Sequence, residues 1–506
     1  MSQSETDQPK RLSVGPFNRV EGDLDIKLEI AAGAVTSARV NSTLYRGFEQ
    51  ILIGKPAMDA LVYTPRICGI CSVSQSVACA RALADASGVA MSPNGALSQN
   101  LLLANESLTD LLTHFYLFFM PDFARTVYQR ESWFEPVERR FKAVKGQATR
   151  EVLPARAGFL HLMGLMAGHW PHTLAIQPGG TSKPVTKQEK IRLLAILAEF
   201  RRFLEHVLFD DDLEVISALS TLEQLRAWQH QKDWQQGDLR RFLHLSDALG
   251  LDQLGQATDR YLSVGNFPLV DQASAPSAQS ARLLPAGVWT PQGTQPFDVN
   301  LITEDISFSW MDGVDSQPLH PQQGQTEVSL RSSEKPEAYS WCKAPRLGGR
   351  VVETGALARA LVGGNPLLDE LVTQYGGSVT ARVLGRLLEL ASLVPQMQLW
   401  AKSLQPDQPF CDHLDLHSQL DGEGVGLIEA ARGSLGHWVR IKNGQISHYQ
   451  IVAPTTWNFS PRDQHGVPGA LEQALEGAPV QEGEKDPVAV QHIVRSFDPC
   501  MVCTVH

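Results

Sequence analysis

No stretch of this 506-residue chain stays apolar for the roughly 18 residues that a membrane-spanning helix needs. The best run, Phe115 to Met120, stops at Pro121. The segment from Met1 to Arg11 is polar and lacks the apolar stretch of a secretory signal, so the expected location is cytoplasmic, unless the folded chain is exported attached to a signal-bearing partner. Positive charge is not in excess. With 44 Lys and Arg against 55 Asp and Glu, the balance is 44 − 55 = −11, which argues against a nucleic-acid partner held through a basic surface. Cysteine is scarce, and seven in so long a chain exclude a disulfide scaffold. There is no internal repeat and no low-complexity tract. Hydrophobic residues at 43% and charged residues at 20% exclude a mostly disordered chain.

What is present is a pattern among the cysteines. Cys68 and Cys71 form one C-x-x-C and Cys500 and Cys503 another, while Cys79, Cys342 and Cys411 stand alone, as small buried hydrophobes commonly do. Near the start, Leu24, Ile26, Leu28 and Ile30 alternate with polar neighbours, and Ala32-Gly33 turns the chain into a second alternating stretch from Val35, which predicts a β-hairpin. Asn443-Gly444 between Trp438–Lys442 and Gln445–Val452 predicts another. The middle of the chain reads as helical. Leucines and Phe115 recur at helical spacing from Asn94 to Phe119, and Thr186 with Glu189 makes a capping box before an apolar-periodic stretch reaching Leu208. A third helix is expected from Ser378 to Leu404, bent at Pro395. Residues 268–340, rich in Pro, Gln, Ser and Gly, read as an irregular surface region with short β-like pieces such as Val299 to Ile302, and residues 1–14 as a disordered tail. The expected fold is α+β, one unit over 1–506, with a large helical core and small hairpin lobes.

Two C-x-x-C pairs supply four thiolates, a number suited to a metal. A zinc ribbon holds its pairs about 15–20 residues apart; here 428 residues lie between Cys71 and Cys500. The site therefore exists only if the two ends of the chain meet, at an entropic cost that grows slowly with loop length. Because the second pair lies at the extreme end, a metal could be delivered to the first pair before the tail closes. The thiolates alone leave both a structural zinc or iron–sulfur site and a catalytic metal open.

The residues around them carry more. Arg66-Ile67-Cys68-Gly69-Ile70-Cys71 and the closing Asp498-Pro499-Cys500-Met501-Val502-Cys503-Thr504-Val505-His506 resemble the two signature motifs of nickel–iron hydrogenase large subunits. Further matching segments follow in family order: Arg19-Val20-Glu21-Gly22, Tyr45 to Glu49, Pro171-His172 before Pro178-Gly179-Gly180, Lys343 to Arg346, Glu429 to Gly433, and Pro454 to Asn458. The resemblance spans residues 15 to 506. It implies a Ni–Fe centre whose iron carries carbon monoxide and cyanide, with Cys68 and Cys500 terminal on nickel and Cys71 and Cys503 bridging to iron. It further implies that H2 is split heterolytically, its proton passing to Cys500 and onward to Glu21, a role for a carboxylate whose pKa is raised by burial. Arg432 is expected over the iron, donating toward a cyanide; the family usually has Pro before it, and Ala431 here puts the stiffness of that loop in question. Thr456 is the expected hydroxyl donor to the other cyanide, and Asp110 and Asp498 the supporting carboxylates. Glu49, His506 and the Val452 carbonyl match the family's ligands for magnesium or a similar ion.

Three positions bear on the subgroup. Gln75 stands where catalytic members usually carry His; an amide keeps hydrogen-bonding capacity but carries no proton at neutral pH. Ile70 and Phe118 stand where the resemblance places the narrowing of the gas channel, and most catalytic members have Val and Leu there. Together the three are similar to the H2-sensing, regulatory subgroup, and the end of the chain at His506 agrees, since sensor subunits are generally made without a removable C-terminal extension. The expected function is thus a slow, oxygen-tolerant H2 sensor signalling through a sensor histidine kinase. The alternative is a cytoplasmic uptake hydrogenase feeding a respiratory or redox chain, and a third, non-enzymatic reading makes the thiolates a mere staple of the chain ends. No cysteine array for a relay of iron–sulfur clusters is present. The family supplies those clusters on a small subunit, in a heterodimer or a dimer of heterodimers.

Overall fold

A leucine-rich helix, Pro93–Thr113, runs through the middle of the molecule, started by Ser92, whose side chain accepts the Gly95 N–H. It is buried on nearly every face, as expected of a helix apolar all round. Its interior amides tie neighbouring elements to it: Gln99 donates to the Gln177 and Gly180 carbonyls, Asn100 to Pro268 and Asn105 to Phe159. The long helices Gln147–Ala167 and Val379–Ser403 pack against it, and Lys187–Phe203 packs on those two. The computed structural model describes residues 10–269, 281–312, 318–329, 335–412 and 420–506.

The capping box at Thr186 and Glu189 forms as the sequence predicts. Pro395 lies inside the Val379–Ser403 helix without ending it. Two helices end sooner than their periodicity indicates, because each closes in a wider, π-type turn, His114–Phe119 and Leu204–Phe209. An extra residue per turn rotates the following side chains off the expected face. Phe115, Tyr116 and Phe119 are buried, while Phe118 is left half-buried.

Both predicted hairpins are present. Leu24–Ala31 and Ala34–Ser42 pair antiparallel around Ala32-Gly33, both at positive φ. Lys10–Val14, read from the sequence as part of a disordered tail, adds a third strand through a full register with Val14 opposite Ile26; residues 1–9 lie outside the described residues. The second hairpin, Gly433–Lys442 with Gln445–Val452, turns at Asn443-Gly444 and is joined by Gly422–Ala430. The region read as irregular surface is partly ordered and interior. Arg282–Thr290 pairs with Tyr261–Pro268, Ile302–Asp305 pairs with Ala344–Leu347, and Glu304, Asp305 and Met311 are buried.

One contact positions the site. The helix Ser72–Ser87 lies with its backbone against the strand Gly422–Ala430. A Cβ on Gly422, Gly424 or Gly426 would fall 2.3, 2.1 or 1.9 Å from the carbonyl oxygens of Ala86, Ala82 and Ala78, one helical turn apart. Only glycine on the strand and alanine on the helix permit this approach. Cys71 sits at the start of that helix, and Arg432 just beyond the end of that strand.

Candidate metal centre

The two ends of the chain meet. The Met501 N–H donates to the Glu21 carbonyl at 2.7 Å and the Glu21 N–H to the Pro499 carbonyl at 3.4 Å. The Arg46 guanidinium donates to the carbonyls of both Ile67 and Val502, so one side chain holds the two cysteine loops together. The sulfurs of Cys68, Cys71, Cys500 and Cys503 all lie within 4.8 Å of one another. The separations are 3.5 Å for Cys68–Cys500, 2.9 Å for Cys71–Cys503 and 3.3 Å for Cys500–Cys503. Cys79, Cys342 and Cys411 stay apart from this group.

Four thiols this close cannot all ionise without a cation among them. Donation from Cys500, then Cys503 and Cys71, holds the Cys68 thiol well below its usual range. Cys71 is pushed well up by its bonds to the other sulfurs, and Cys503 by burial. A soft, thiophilic metal relieves that crowding by taking several thiolates at once. The donor set therefore fits a nickel–iron centre.

The Cys71 loop is fixed by a residue that motif reading does not single out. Glu106, buried on the Pro93–Thr113 helix, accepts the Val73 and Ser74 N–H groups at 2.7 and 2.8 Å. It thus takes donors that an N-cap side chain would otherwise satisfy. It also accepts the Trp170 indole N–H at 3.0 Å. Burial raises its pKa to about 7.

Beside the sulfurs is a narrow cavity lined by Cys71, Gln75, Arg432, Thr455, Cys500 and Cys503, with Ala430, Ala431, Leu435 and Pro454 completing the wall. Arg432 is buried and faces two carboxylates: Nη1 lies 2.6 Å from an Asp110 oxygen, Nη2 lies 3.2 Å from Asp498, and Nε donates to the Asp498 carbonyl. Burial works against the Arg432 charge, but Asp110 and Asp498 outweigh it and hold the guanidinium protonated. Asp110 is raised to about 7 because burial exceeds the pull of Arg432. Asp498 goes the other way: Arg432, His114 and Arg386 together overcome its burial.

Ala431 does not leave this loop loose. Arg359 donates to the Ala430 and Ala431 carbonyls at 2.8 and 3.1 Å, and is itself paired with Glu389 and Glu429. A buried guanidinium thus constrains the backbone where the family usually has a proline ring. Thr456 does not reach the cavity. Its hydroxyl donates to the Thr504 carbonyl at 2.9 Å, and Thr455 is the hydroxyl on the cavity wall. At the start of a short helix, neighbouring side chains point about 100° apart, so a one-residue shift changes which of two threonines faces inward.

Glu21 lies beside the sulfurs; burial raises its pKa, Cys68 adds to the rise and Arg432 opposes it. Glu49 and His506 are brought together, with Nε2 3.3 Å from Glu49 Oε1. The backbone carbonyl against His506 belongs to Ile451, at 2.9 Å, rather than to Val452. Carbonyls alternate in direction along a strand, and Ile451 is the residue whose N–H also meets Glu49. The oxygens of Glu49, Glu304, Thr326 and Gln450 surround the Lys343 ammonium nearby. Glu49, the His506 imidazole and the Ile451 carbonyl meet one another beside that ammonium, donors of the types a magnesium-like ion takes. Ile70 sits half-buried in the Cys68–Cys71 loop, and Phe118 on the π-type turn after Thr113.

Comparison with known proteins agrees with this geometry. The sequence pattern of the family described as nickel-dependent hydrogenase matches residues 46–130 and 247–506. The chain is 29% identical to the periplasmic [NiFeSe] hydrogenase large subunit of Desulfomicrobium baculatum, over 100% of this chain and 97% of that one. It is 25% identical to the uptake hydrogenase large subunit of Cupriavidus necator, over 99% and 96%, and to the hydrogenase-2 large chain of Escherichia coli K12, over 98% and 97%. The reduced Ni-Fe-Se hydrogenase from D. vulgaris Hildenborough superposes with a TM-score of 0.82 at 27% identity, covering 98% of this chain and 100% of that one. These names favour the uptake alternative over the sensor expectation. Among the described residues, no helix is long and apolar enough to cross a membrane. With four thiolates drawn from its two ends into one metal-binding group, and both of those ends inside the matched pattern, the chain belongs to the nickel-dependent hydrogenases, as a large subunit.

Proposed function

We propose that this chain is the H2-activating large subunit of an uptake-type nickel–iron hydrogenase, and that it passes electrons to a partner small subunit carrying iron–sulfur clusters. The observation that carries the reading is the convergence of the four cysteine sulfurs within 4.8 Å. Cys68, Cys71, Cys500 and Cys503 would together hold the nickel and iron. When bound, the Ni–Fe centre, with carbon monoxide and cyanide on its iron, supplies heterolytic cleavage of H2 and accepts the electrons.

The chain's own groups do the rest. The Cys500 sulfur takes the proton, and Glu21, whose backbone pairs with the Cys500 loop, takes it onward. Arg432 directs a guanidinium held cationic by Asp110 and Asp498 toward the iron side, and the Thr455 hydroxyl offers a second donor there. Glu49, His506 and the Ile451 carbonyl would hold a magnesium-like ion. Among the described residues the four-cysteine group is the only set of three or more His, Cys, Asp or Glu placed to hold a metal, which supports an electron exit through a partner.

A second reading, the H2 sensor, is favoured by Gln75 on the cavity wall, with Ile70 and Phe118 as narrowing residues and a histidine kinase downstream. A cytoplasmic location goes with the sensor; an uptake enzyme can also work after export with its partner. The test is nickel and iron analysis of the purified complex, with infrared bands from iron-bound carbon monoxide and cyanide and H2-dependent dye reduction. Stoichiometric zinc without those bands would sink both readings. Fast turnover and loss of growth on H2 after deletion favour uptake; slow turnover with altered gene expression favours the sensor.

A further inference from the structure

Gln75 is almost wholly buried, at 1% exposure, one helical turn beyond Cys71. Its side chain is held from one end only. His437 Nε2 lies 2.8 Å from Gln75 Oε1, and the other ring nitrogen, Nδ1, lies 2.8 Å from the Tyr449 hydroxyl. Among the described residues Gln75 Nε2 has no partner, although the residue lines the cavity shared by Cys71, Cys503 and Arg432. A buried N–H2 group without an acceptor is costly, and such groups are rare unless something meets them.

We propose that Gln75 is a positioning residue that donates a hydrogen bond from Nε2 to a metal-bound thiolate or iron ligand in this cavity, and that His437 and Tyr449 fix the direction of that bond. The proposal rests on the nickel–iron reading of the four thiolates.

The chain of bonds has two possible directions. In one, Tyr449 donates to Nδ1, Nε2–H donates to Gln75 Oε1, and the amide N–H2 faces the sulfurs. In the other, every proton is reversed and the amide carbonyl faces them. Thiolates and cyanide are acceptors, so a carbonyl turned toward them is repelled and an N–H2 attracted; the first direction wins. His437 supports it because burial pushes its pKa down to about 3. A neutral imidazole has one donor and one acceptor, as a directed chain requires. Aligned hydrogen bonds polarise one another, so the hydroxyl and imidazole behind Gln75 strengthen the final donor.

Infrared spectroscopy of the purified complex reads this directly. A donor on a bridging thiolate or cyanide draws charge from the iron and raises the stretching frequencies of its diatomic ligands. Gln75→Leu should shift those bands to lower wavenumber with nickel and iron content unchanged. Tyr449→Phe, which leaves Gln75 and His437 in place, should shift them the same way by less. Gln75→Asn, with the same amide on a shorter stem, should lose the alignment and resemble Gln75→Leu. If Gln75→Leu does not load metal, Tyr449→Phe alone decides, by whether its bands move. Bands at their parental positions in metal-loaded Gln75→Leu or Tyr449→Phe would overturn the proposal while leaving the metal reading intact. A parent protein with no diatomic bands would overturn the metal reading itself.

Discussion

Glu21 and Cys500 face each other across a parallel backbone bridge, although 478 positions separate them in the chain (500 − 21 = 479, less one). The bridge holds the Glu21 carboxyl near the sulfurs, and burial raises its pKa, aided by Cys68. Such a carboxyl is suited to receive and release a proton in turn. Glu21→Gln keeps the backbone bridge and removes only the titrating group. The variant should load nickel and iron normally, while H/D exchange and turnover fall at least about a hundredfold. Parental exchange rates would show that protons leave by another route.

Glu472 offers a pH-dependent test far from the metal. Its Oε1 accepts the Val40 N–H at 2.9 Å and the Tyr339 hydroxyl at 2.7 Å, joining the helix Ala470–Leu475 to the N-terminal sheet. Burial raises its pKa from 4.5 to about 7. The folded state thus binds the proton more tightly than the unfolded one. The stabilisation this gives is complete below about pH 4.5 and is lost as pH rises through 7. Glu472→Gln retains an acceptor oxygen for both bonds and does not titrate. Urea unfolding should show the parent losing stability relative to the variant between pH 4.5 and 7, by up to about 3 kcal/mol on the linkage relation. Parallel pH profiles would refute this.

We propose that Ile70 and Phe118 narrow the passage of gas to the metal, which bears on oxygen. Each exceeds the side chain usual in catalytic relatives, and close-packed interiors make such increments felt by a diatomic gas. H2 is the smaller molecule, so a narrow passage penalises O2 more. Ile70→Val combined with Phe118→Leu should keep anaerobic H2 activity and lose activity during turnover under O2. A folded, metal-loaded double variant that responds to O2 as its parent does would refute the narrow passage.

The glycine strand predicts its own defect. In Gly426→Ala the new methyl meets the Ala78 carbonyl at 1.9 Å, so the helix carrying Cys71 must shift. Overpacking of this kind costs about 1–3 kcal/mol. A lower thermal midpoint together with substoichiometric nickel is the expected result; unchanged values for both would show that the contact is slack.

Both hairpins, the capping box and the meeting of the chain ends were legible because each rests on short-range chemistry or on an explicit motif: Asn443-Gly444 for a tight turn, Thr186 with Glu189 for a helix start, paired thiols for a shared metal. The π-type turn at His114–Phe119 was not, since its apolar residues fit a 3.6-residue period nearly as well. Thr455 and Ile451 stood one residue from the expected Thr456 and Val452 because a motif identifies a segment, while the direction of each group depends on local backbone geometry. Arg359 and Glu106 carried no signal at all. Each acts on the site from a distant helix, and only the folded chain brings them to the Ala431 carbonyl and to the amides after Cys71.

The bare contact between the Ser72–Ser87 helix and the Gly422–Ala430 strand has a thermal consequence. Where side chains separate two elements, their spacing averages over rotamers whose populations change with temperature. At Gly422, Gly424 and Gly426 backbone meets backbone, and at those positions no rotamer is available to exchange. The offset between Cys71 and Arg432 is therefore set by backbone spacing at these three positions, and should change less on warming than the spacing of elements held apart by side chains.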